Sequence, residues 1–259
     1  MARILVIGDV VGAPGLRAVL GLLPQLLETH APDLVVVNAE NAAGGSGTSP
    51  RQVDDLLAAG VDVVTGGNHT LRRRELYPKL ATEPRLLRPA NISPQAPGKG
   101  VTVVRTRTGL EAGVVNVMGA IFMDSAASPF LVVDDLVDQA RKGADVVLVD
   151  IHAEATSEKV ALGRHLDGRV TAVVGTHTHV QTADARVLPG GTAYVTDLGM
   201  SGPHDSVIGV RTDVILERFL RGAPGRFEPA EEGVLVQGAV IDCDRDGRAS
   251  GIATFSLSP

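Results

Sequence analysis

The chain reads as an α/β protein, and three observations lead there. Short apolar runs alternate along it with segments of helical periodicity. Most of the runs are continuously apolar, as in strands covered on both faces. Polar residues with chemical capacity gather where those runs end. In order, residues 4–7 form a strand that ends at Gly8-Asp9, and 16–27 have helical spacing. Residues 34–37 form a second strand, ending in Asn38-Ala39-Glu40-Asn41. Pro50 after Ser49 opens a helix over 52–59 that Gly60 closes. A strand over 61–64 runs into Gly66-Gly67-Asn68-His69. Pro84, Pro89, Pro94 and Pro97 make 83–99 a meandering loop. Strands over 101–104 and 114–117 precede a helix over 131–140. A strand over 146–149 leads to Asp150-Ile151-His152, and helical spacing returns over 157–166. The run 170–174 opens into Gly175-Thr176-His177-Thr178-His179, followed by a strand over 193–195 and a helix over 213–220. There is no internal repeat, low-complexity tract or heptad.

Composition bounds the function. At 259 residues, 44% hydrophobic and 21% charged, the chain buries a substantial core and is expected to form one domain, with any small lobe built from loop insertions. The N-terminus enters a strand at once, and no apolar stretch approaches the roughly 18 residues of a membrane span, so a cytoplasmic location with no membrane partner is expected. Cys243 is the only cysteine, which excludes an intrachain disulfide and a thiolate cluster; a metal would take nitrogen and oxygen ligands. The net charge of -6 speaks against an extended nucleic-acid duplex as partner, and 3% aromatic residues leave little for base-stacking platforms. A small anionic substrate needs only local positive charge, which bound cations supply.

The H-x-H of His177 and His179 sits where a buried strand gives way to a loop, so both imidazoles can turn to one point. Alone, such a pair is equally a core histidine beside a solvated one. Asp9 alone is equally a helix cap, Asn38 or Asn41 a turn residue, Asn68 a left-handed position. Together, five strand ends of a largely parallel sheet share one edge, where open α/β sheets form their ligand crevices. Asp9 and Glu40 with three imidazoles and one or two amides exceed what one closed metal site requires. A dinuclear centre accounts for the surplus: a bridging carboxylate holds two cations roughly 3.5–4 Å apart, where they lower the pKa of a shared water and clamp a phosphoryl group. That chemistry is phosphoester hydrolysis.

Gly8-Asp9, Gly67-Asn68-His69 and Gly175-Thr176-His177-Thr178-His179 resemble the signature of the calcineurin-like metallophosphoesterases. Longer segments are similar to the YmdB-like bacterial branch, members of which act as cyclic-nucleotide phosphodiesterases: Gly8-Asp9-Val10-Val11-Gly12, Asn38-Ala39-Glu40-Asn41-Ala42-Ala43-Gly44-Gly45, His152-Ala153-Glu154-Ala155-Thr156-Ser157-Glu158-Lys159, and the H-x-H run continued to residue 184. The resemblance spans almost the whole chain. It implies a four-layer αββα sandwich of the metallophosphoesterase type. It also implies two metal ions, with Asp9 and His179 on the first, Asn68, His152 and His177 on the second, and Glu40 bridging. Val11 stands where the superfamily's D-x-H has a histidine, Glu40 replaces the usual bridging aspartate, and Asn41 is the substitute on the first metal. A harder amide oxygen shifts preference toward iron or manganese, with zinc still open. His69 is the candidate general acid, the alternative being a simple backbone hydrogen bond. Thr70-Leu71-Arg72 departs from the branch's T-W-D. The implied partners are a small phosphodiester, a cyclic nucleotide above all, and further copies of the chain. A phosphomonoesterase and a regulatory metal-binding scaffold remain the alternatives.

Other features carry less. Arg72, Arg73 and Arg74 point in different directions on a helix and read as a solvated face. His30 and His165 read as surface or capping residues, and His204 stands outside the ligand set. Gly44-Gly45-Ser46-Gly47 is a flexible loop suited to close substrate approach, and Lys99-Gly100 breaks any Walker pattern. Residues 242–247 begin like a calcium loop but have Ala253 at the bidentate-acid position, and so read as a hairpin turn. No G-x-S-x-G elbow supports a covalent hydrolase.

Overall fold

The computed structural model describes residues 1–124, 126–222 and 227–259. Two sheets face each other. The first contains β1 (Ala2–Ile7), β2 (Asp9–Val10), β3 (Leu34–Asn38), β4 (Val63–Thr65), β11 (Met200–Pro203) and the hairpin of β12 (Val234–Cys243) with β13 (Ala249–Leu257). The second runs β5 (Val101–Arg105), β6 (Glu111–Met118), β7 (Val146–His152), β8 (Ala172–Thr176), β10 (Ala193–Val195) and β9 (Arg186–Val187). The helices are α1 (Gly12–His30), α2 (Pro50–Ala58), α3 (Tyr77–Thr82), α4 (Val133–Arg141), α5 (Thr156–His165) and α6 (Thr212–Arg221).

The layers follow from side-chain alternation along the strands. In β1 and β3, Ile4, Val6, Leu34 and Val36 turn inward and meet Val114, Leu148 and Val174 of the other sheet. Their neighbours Leu5, Ile7, Val35 and Val37 turn outward onto Val19, Leu23 and Leu26 of α1 and Val53 and Leu56 of α2. On the second sheet, Val115, Val147, Val149 and Val173 pack outward against Val133 and Val137 of α4 and Leu162 of α5. Both faces of each central strand are therefore covered, which is why the runs read as continuously apolar. Each such side chain contributes about 1.5–3 kcal/mol on burial. The result is a four-layer αββα sandwich.

The two sheets of the expected sandwich are mixed, where the strand pattern suggested largely parallel pairing. β1, β3 and β4 are parallel to one another, and so are β6, β7, β8 and β10. β12 runs antiparallel to β1, pairing Ala2 with Cys243, and is the strand of the 242–247 hairpin. The parallel strands of both sheets bring their carboxyl ends to one side.

Local devices fix the connections there. Ser49 and Gln52 form a capping box on α2, Gln52 N donating to Ser49 Oγ at 3.3 Å and Ser49 N to Gln52 Oε1 at 2.9 Å. Gln52 Nε2 donates onward to Ala42 O at 2.9 Å, tying the helix to the loop that carries Glu40. In the proline-rich stretch, buried Arg88 holds the chain by donating to the carbonyls of Pro89, Ala96 and Pro97. No helix among the described residues is long and apolar enough to cross a membrane.

Candidate metal centre

Five strand ends meet where the two sheets share an edge. After β1, Gly8 has Gly199 O 2.1 Å from where a Cβ would lie, so only glycine admits this approach. Asp9 follows, wholly buried; its Oδ2 accepts from His177 N at 3.0 Å. It does not cap a helix, since α1 starts after Val11 without a side-chain cap.

After β3, Asn38 Oδ1 accepts from Glu40 N at 3.1 Å, while its Nδ2 donates across the sheets to Asp150 Oδ2 at 3.1 Å. Asn38 is thus a brace that sets the Glu40 side chain. Glu40 is buried, with Oε2 accepting from His69 N at 2.8 Å. Its Oε1 lies 3.0 Å from His69 Nδ1 and 3.3 Å from His152 Nε2, yet neither ring is angled to donate to it. After β4, Gly67 leaves no room for a Cβ, which would stand 2.3 Å from the His152 ring and 2.5 Å from Glu40 Oε2. Asn68 Oδ1 is then 3.0 Å from His152 Nε2. Asn68 does not occupy a left-handed position.

The three imidazoles share one design. His152, at the end of β7, faces Thr176 Oγ1 through Nδ1 at 2.9 Å, and that hydroxyl donates to Asp150 Oδ1 at 2.8 Å. In the neutral ring the network therefore places the His152 proton on Nδ1 and the lone pair on Nε2, toward Asn68 and Glu40. His177 turns Nε2 to Glu154 Oε2 at 3.3 Å and Nδ1 to His152 Nε2 at 3.0 Å. His179 donates from Nδ1 to Ile208 O at 2.8 Å, leaving Nε2 3.1 Å from Asn41 Nδ2 and 4.0 Å from Asp9 Oδ1. Each ring is held outside by an acceptor and presents its other nitrogen inward, the arrangement that orients metal-binding histidines. His177 and His179 also adopt positive φ of 100° and 65°. Such backbone costs of order 1–3 kcal/mol per residue and persists where surrounding contacts impose it.

The electrostatics are those of a crowded buried cluster. Burial raises the Asp9 carboxyl. Burial opposes ionisation of Glu40 too, but charge on His152 and His69 outweighs it and holds that carboxyl well below its usual range. For His152 burial is overcome by Glu40 and Asp9, which push it up to about 9. Burial and then the charge of His152 push His177 down to about 3.

A metal ion fits this donor set. Asp9 Oδ1 and Glu40 Oε1 are buried without a hydrogen-bond partner, an arrangement that is costly unless something else satisfies them. Glu40, His152 and His177 each place a ligand atom within 4.8 Å of the others. The donors are imidazole nitrogen and carboxylate or amide oxygen, which suit first-row transition ions.

All the sequence-named site residues converge: Asp9, Glu40, Asn41, Asn68, His69, His152, His177 and His179. Asn41 faces His69 Nδ1 through Oδ1 at 2.9 Å and His179 through Nδ2. His69 contacts side chains through its ring and makes no ring hydrogen bond to the backbone. Sequence reasoning gave no role to the braces Asp150, Thr176 and Glu154, although each lay in a segment it quoted. The arginines divide. Arg72 lines the cavity beside the cluster, Arg74 is exposed, and Arg73 donates to Ser46 O at 3.3 Å and Ala43 O at 2.6 Å, propping the glycine loop. The solvated face therefore holds at Arg72 and Arg74, both exposed, and is corrected at Arg73. His204 donates from Nδ1 to Gly202 O at 2.9 Å and does not line the cavity. His165 pairs with Asp134 at 2.8 Å.

The cavity measures about 740 Å³ and is lined by Glu40, Asn41, His69, His177 and His179, by the Gly44-Gly45-Ser46 loop, and by Ile208, Phe219 and Phe227.

Comparison with known proteins gives close likenesses. The family model described as "YmdB-like protein" matches residues 5–255. The chain is 46% identical over 242 residues to the 2',3'-cyclic-nucleotide 2'-phosphodiesterase of Bacillus subtilis (strain 168), covering 93% of this chain and 91% of that protein. Its fold superimposes on the crystal structure of a hypothetical protein from Thermus thermophilus with a TM-score of 0.92, at 44% identity and 98% coverage of both chains. It does so equally on a novel phosphatase from Mycoplasma pneumoniae, with a TM-score of 0.91 at 32% identity, covering 99% of this chain and 93% of that one.

Proposed function

Because the chain belongs to the YmdB-like family and is a phosphoric ester hydrolase, we propose that it acts as a phosphodiesterase on small nucleotide diesters, 2',3'-cyclic nucleotides foremost. The observation that carries this reading is the inward convergence of three imidazole nitrogens on Asp9 Oδ1, Glu40 Oε1 and Asn68 Oδ1 at the floor of an open cavity.

In this proposal Asp9, Asn41 and His179 would hold one ion, Asn68, His152 and His177 the other, and Glu40 would serve both. When bound, the cations would supply Lewis-acid activation of water and neutralise phosphoryl charge. Asp150 and Thr176 keep the His152 proton on Nδ1, so Nε2 stays available as a donor. Asn41 Oδ1 accepts from His69 Nδ1 and orients that ring, whose Nε2 makes no hydrogen bond among the described residues. His69 delivers a proton from Nε2 to the leaving ester oxygen. The glycine loop lets backbone approach the phosphate closely. The oxygen-rich first site favours iron or manganese. The reading also takes the protein to be cytoplasmic, one domain and a homo-oligomer.

The phosphatase description of the Mycoplasma relative favours a second reading, hydrolysis of monoesters at the same centre. Metal-loaded protein offered 2',3'-cyclic AMP, an open diester and 3'-AMP separates them. Turnover of the cyclic ester well above the monoester supports the diesterase; the reverse order replaces it with the second reading.

A further inference from the structure

Beside the histidine cluster the cavity has an apolar wall whose side chains have no part in the chemistry above. It is formed by Val207, Ile208, Val210, Ile215, Phe219 and Phe227, and none of these side chains offers a hydrogen-bonding group. Two of the chain's five phenylalanines stand here, 79% and 46% exposed, with Ile208 at 53%. Large apolar side chains left in water beside a polar site mark a surface that a ligand covers. Arg218 lies over the Phe227 ring, its Cζ 4.8 Å from the centroid, and steadies that ring from one side. The wall is tied to the centre, because Ile208 O is the carbonyl that accepts from His179 Nδ1. About 740 Å³ falls within the roughly 300–1,000 Å³ of small-molecule sites, enough for a nucleotide.

We infer that this wall is a nucleobase subsite, in which Phe219 and Phe227 hold the base by stacking and apolar contact, and that it accepts any of the four bases. The inference rests on the proposed diesterase activity. Its physical basis is that every base has a π-face, whereas telling bases apart requires hydrogen bonds that these six apolar side chains do not provide, Arg218 being engaged over the Phe227 ring. Arg72 and Arg218 are the two arginines that line the cavity.

The test uses the full-length, metal-loaded protein and two substitutions, Phe219→Ala and Phe227→Leu. Steady-state kinetics are measured on 2',3'-cyclic AMP, GMP, CMP and UMP and on glycerol 1,2-cyclic phosphate, which carries the same strained ester without a base. Binding of 2'-AMP and of glycerol 2-phosphate is followed by calorimetry. Wild type should treat the four nucleotides within about tenfold of one another. Phe219→Ala should raise KM for all four, and weaken 2'-AMP binding, by about 5- to 150-fold with kcat little changed. Phe227→Leu should act in the same direction, and kcat/KM for the glycerol ester should stay at the wild-type value for both variants. Strong preference for one base, equal handling of the glycerol ester and the nucleotides by wild type, or equal losses on both substrate kinds in the variants would overturn the subsite. So would a change confined to the oligomeric state of Phe219→Ala, which would make the wall an interface. If wild type turns over none of the cyclic esters, the diesterase reading fails, and the subsite with it.

Discussion

Lys159 Nζ donates to Asp197 Oδ2 at 2.7 Å, with both side chains almost wholly out of water. The same carboxylate oxygen accepts from Thr178 N at 3.1 Å and Thr178 Oγ1 at 2.7 Å, and Oδ1 accepts from Gly199 N at 2.8 Å. A charged pair on α5 and the loop after β10 thus clamps the residue between His177 and His179, where the backbone departs from its preferred region. Lys159→Met removes one charge and leaves Asp197 buried against neutral groups. Breaking a buried pair in this way costs about 3–5 kcal/mol, and urea denaturation should show a loss of that size. The variant that still folds should bind metal less tightly. Wild-type stability in Lys159→Met would mean that the pair contributes nothing to the clamp.

Thr176 relays between two groups that never touch directly, Asp150 and His152. Replacing its hydroxyl with a methyl in Thr176→Val keeps the volume but removes the acceptor that fixes the His152 proton. Loss of such an outer partner lowers metal affinity by about 10- to 100-fold in known metal sites. Competition with a chromophoric chelator should report a shift in that range with the fold intact by circular dichroism. Unchanged affinity would show that His152 is oriented by packing alone.

These braces explain what was and was not legible in the sequence. Asp9, Glu40, Asn68, His152 and the histidine pair stood out because each follows a continuous apolar run, and the run marks both the strand and the side on which it ends. Asp150 and Thr176 follow such runs too, but their role was not legible: their partnership spans two strands of one sheet, and neither residue type is unusual at a strand end. The apolar pattern by itself does not divide the strands between the two sheets, for a similar reason. Central strands of both sheets are covered on both faces, so Val35 and Val149 look alike in sequence although they face different helices. β9 and β11 are two and four residues long, too short for any period to show. β8 is shifted two residues along from the apolar run 170–174, since Gly175 and Thr176 belong to the strand. A Cβ at Gly175 would stand 1.8 Å from Thr196 O, so a polar-looking pair is buried in the sheet. Arg73 looked solvated because its acceptors are backbone carbonyls some 27 to 30 residues away.

Removing the cations should separate activity from fold. Metal-stripped protein retains its sandwich, since the inter-sheet core lies apart from the cluster, but it keeps Asp9 and Glu40 buried with unpartnered oxygens. Activity should vanish on exhaustive chelation and return with manganese or iron. Because the ions bind only the folded chain, the melting temperature should fall on stripping and recover on reloading, by an amount set by about 4.1 kcal/mol when free metal is a thousand times its dissociation constant. Elemental analysis of the stripped sample is the control. Full turnover in protein shown to be free of metal would end the metal-dependent reading.

His69 gives the sharpest separation of chemistry from structure, because it sits against Glu40 and Asn41 without completing the convergent set around His152. His69→Ala should lower kcat on 2',3'-cyclic AMP by about 10²- to 10⁴-fold, the usual range for a lost general acid, while metal content stays at the wild-type level. The loss should shrink when the leaving group departs readily as an anion, since an ester of p-nitrophenol needs no proton in its transition state. Comparing bis-p-nitrophenyl phosphate with the cyclic nucleotide in the same variant therefore distinguishes an acid from a brace. A brace would lower both rates alike, because a misplaced Glu40 harms every substrate. Loss of metal together with activity would likewise assign His69 to holding the site, and Asn41, whose Oδ1 it faces at 2.9 Å, would then be the next residue to test.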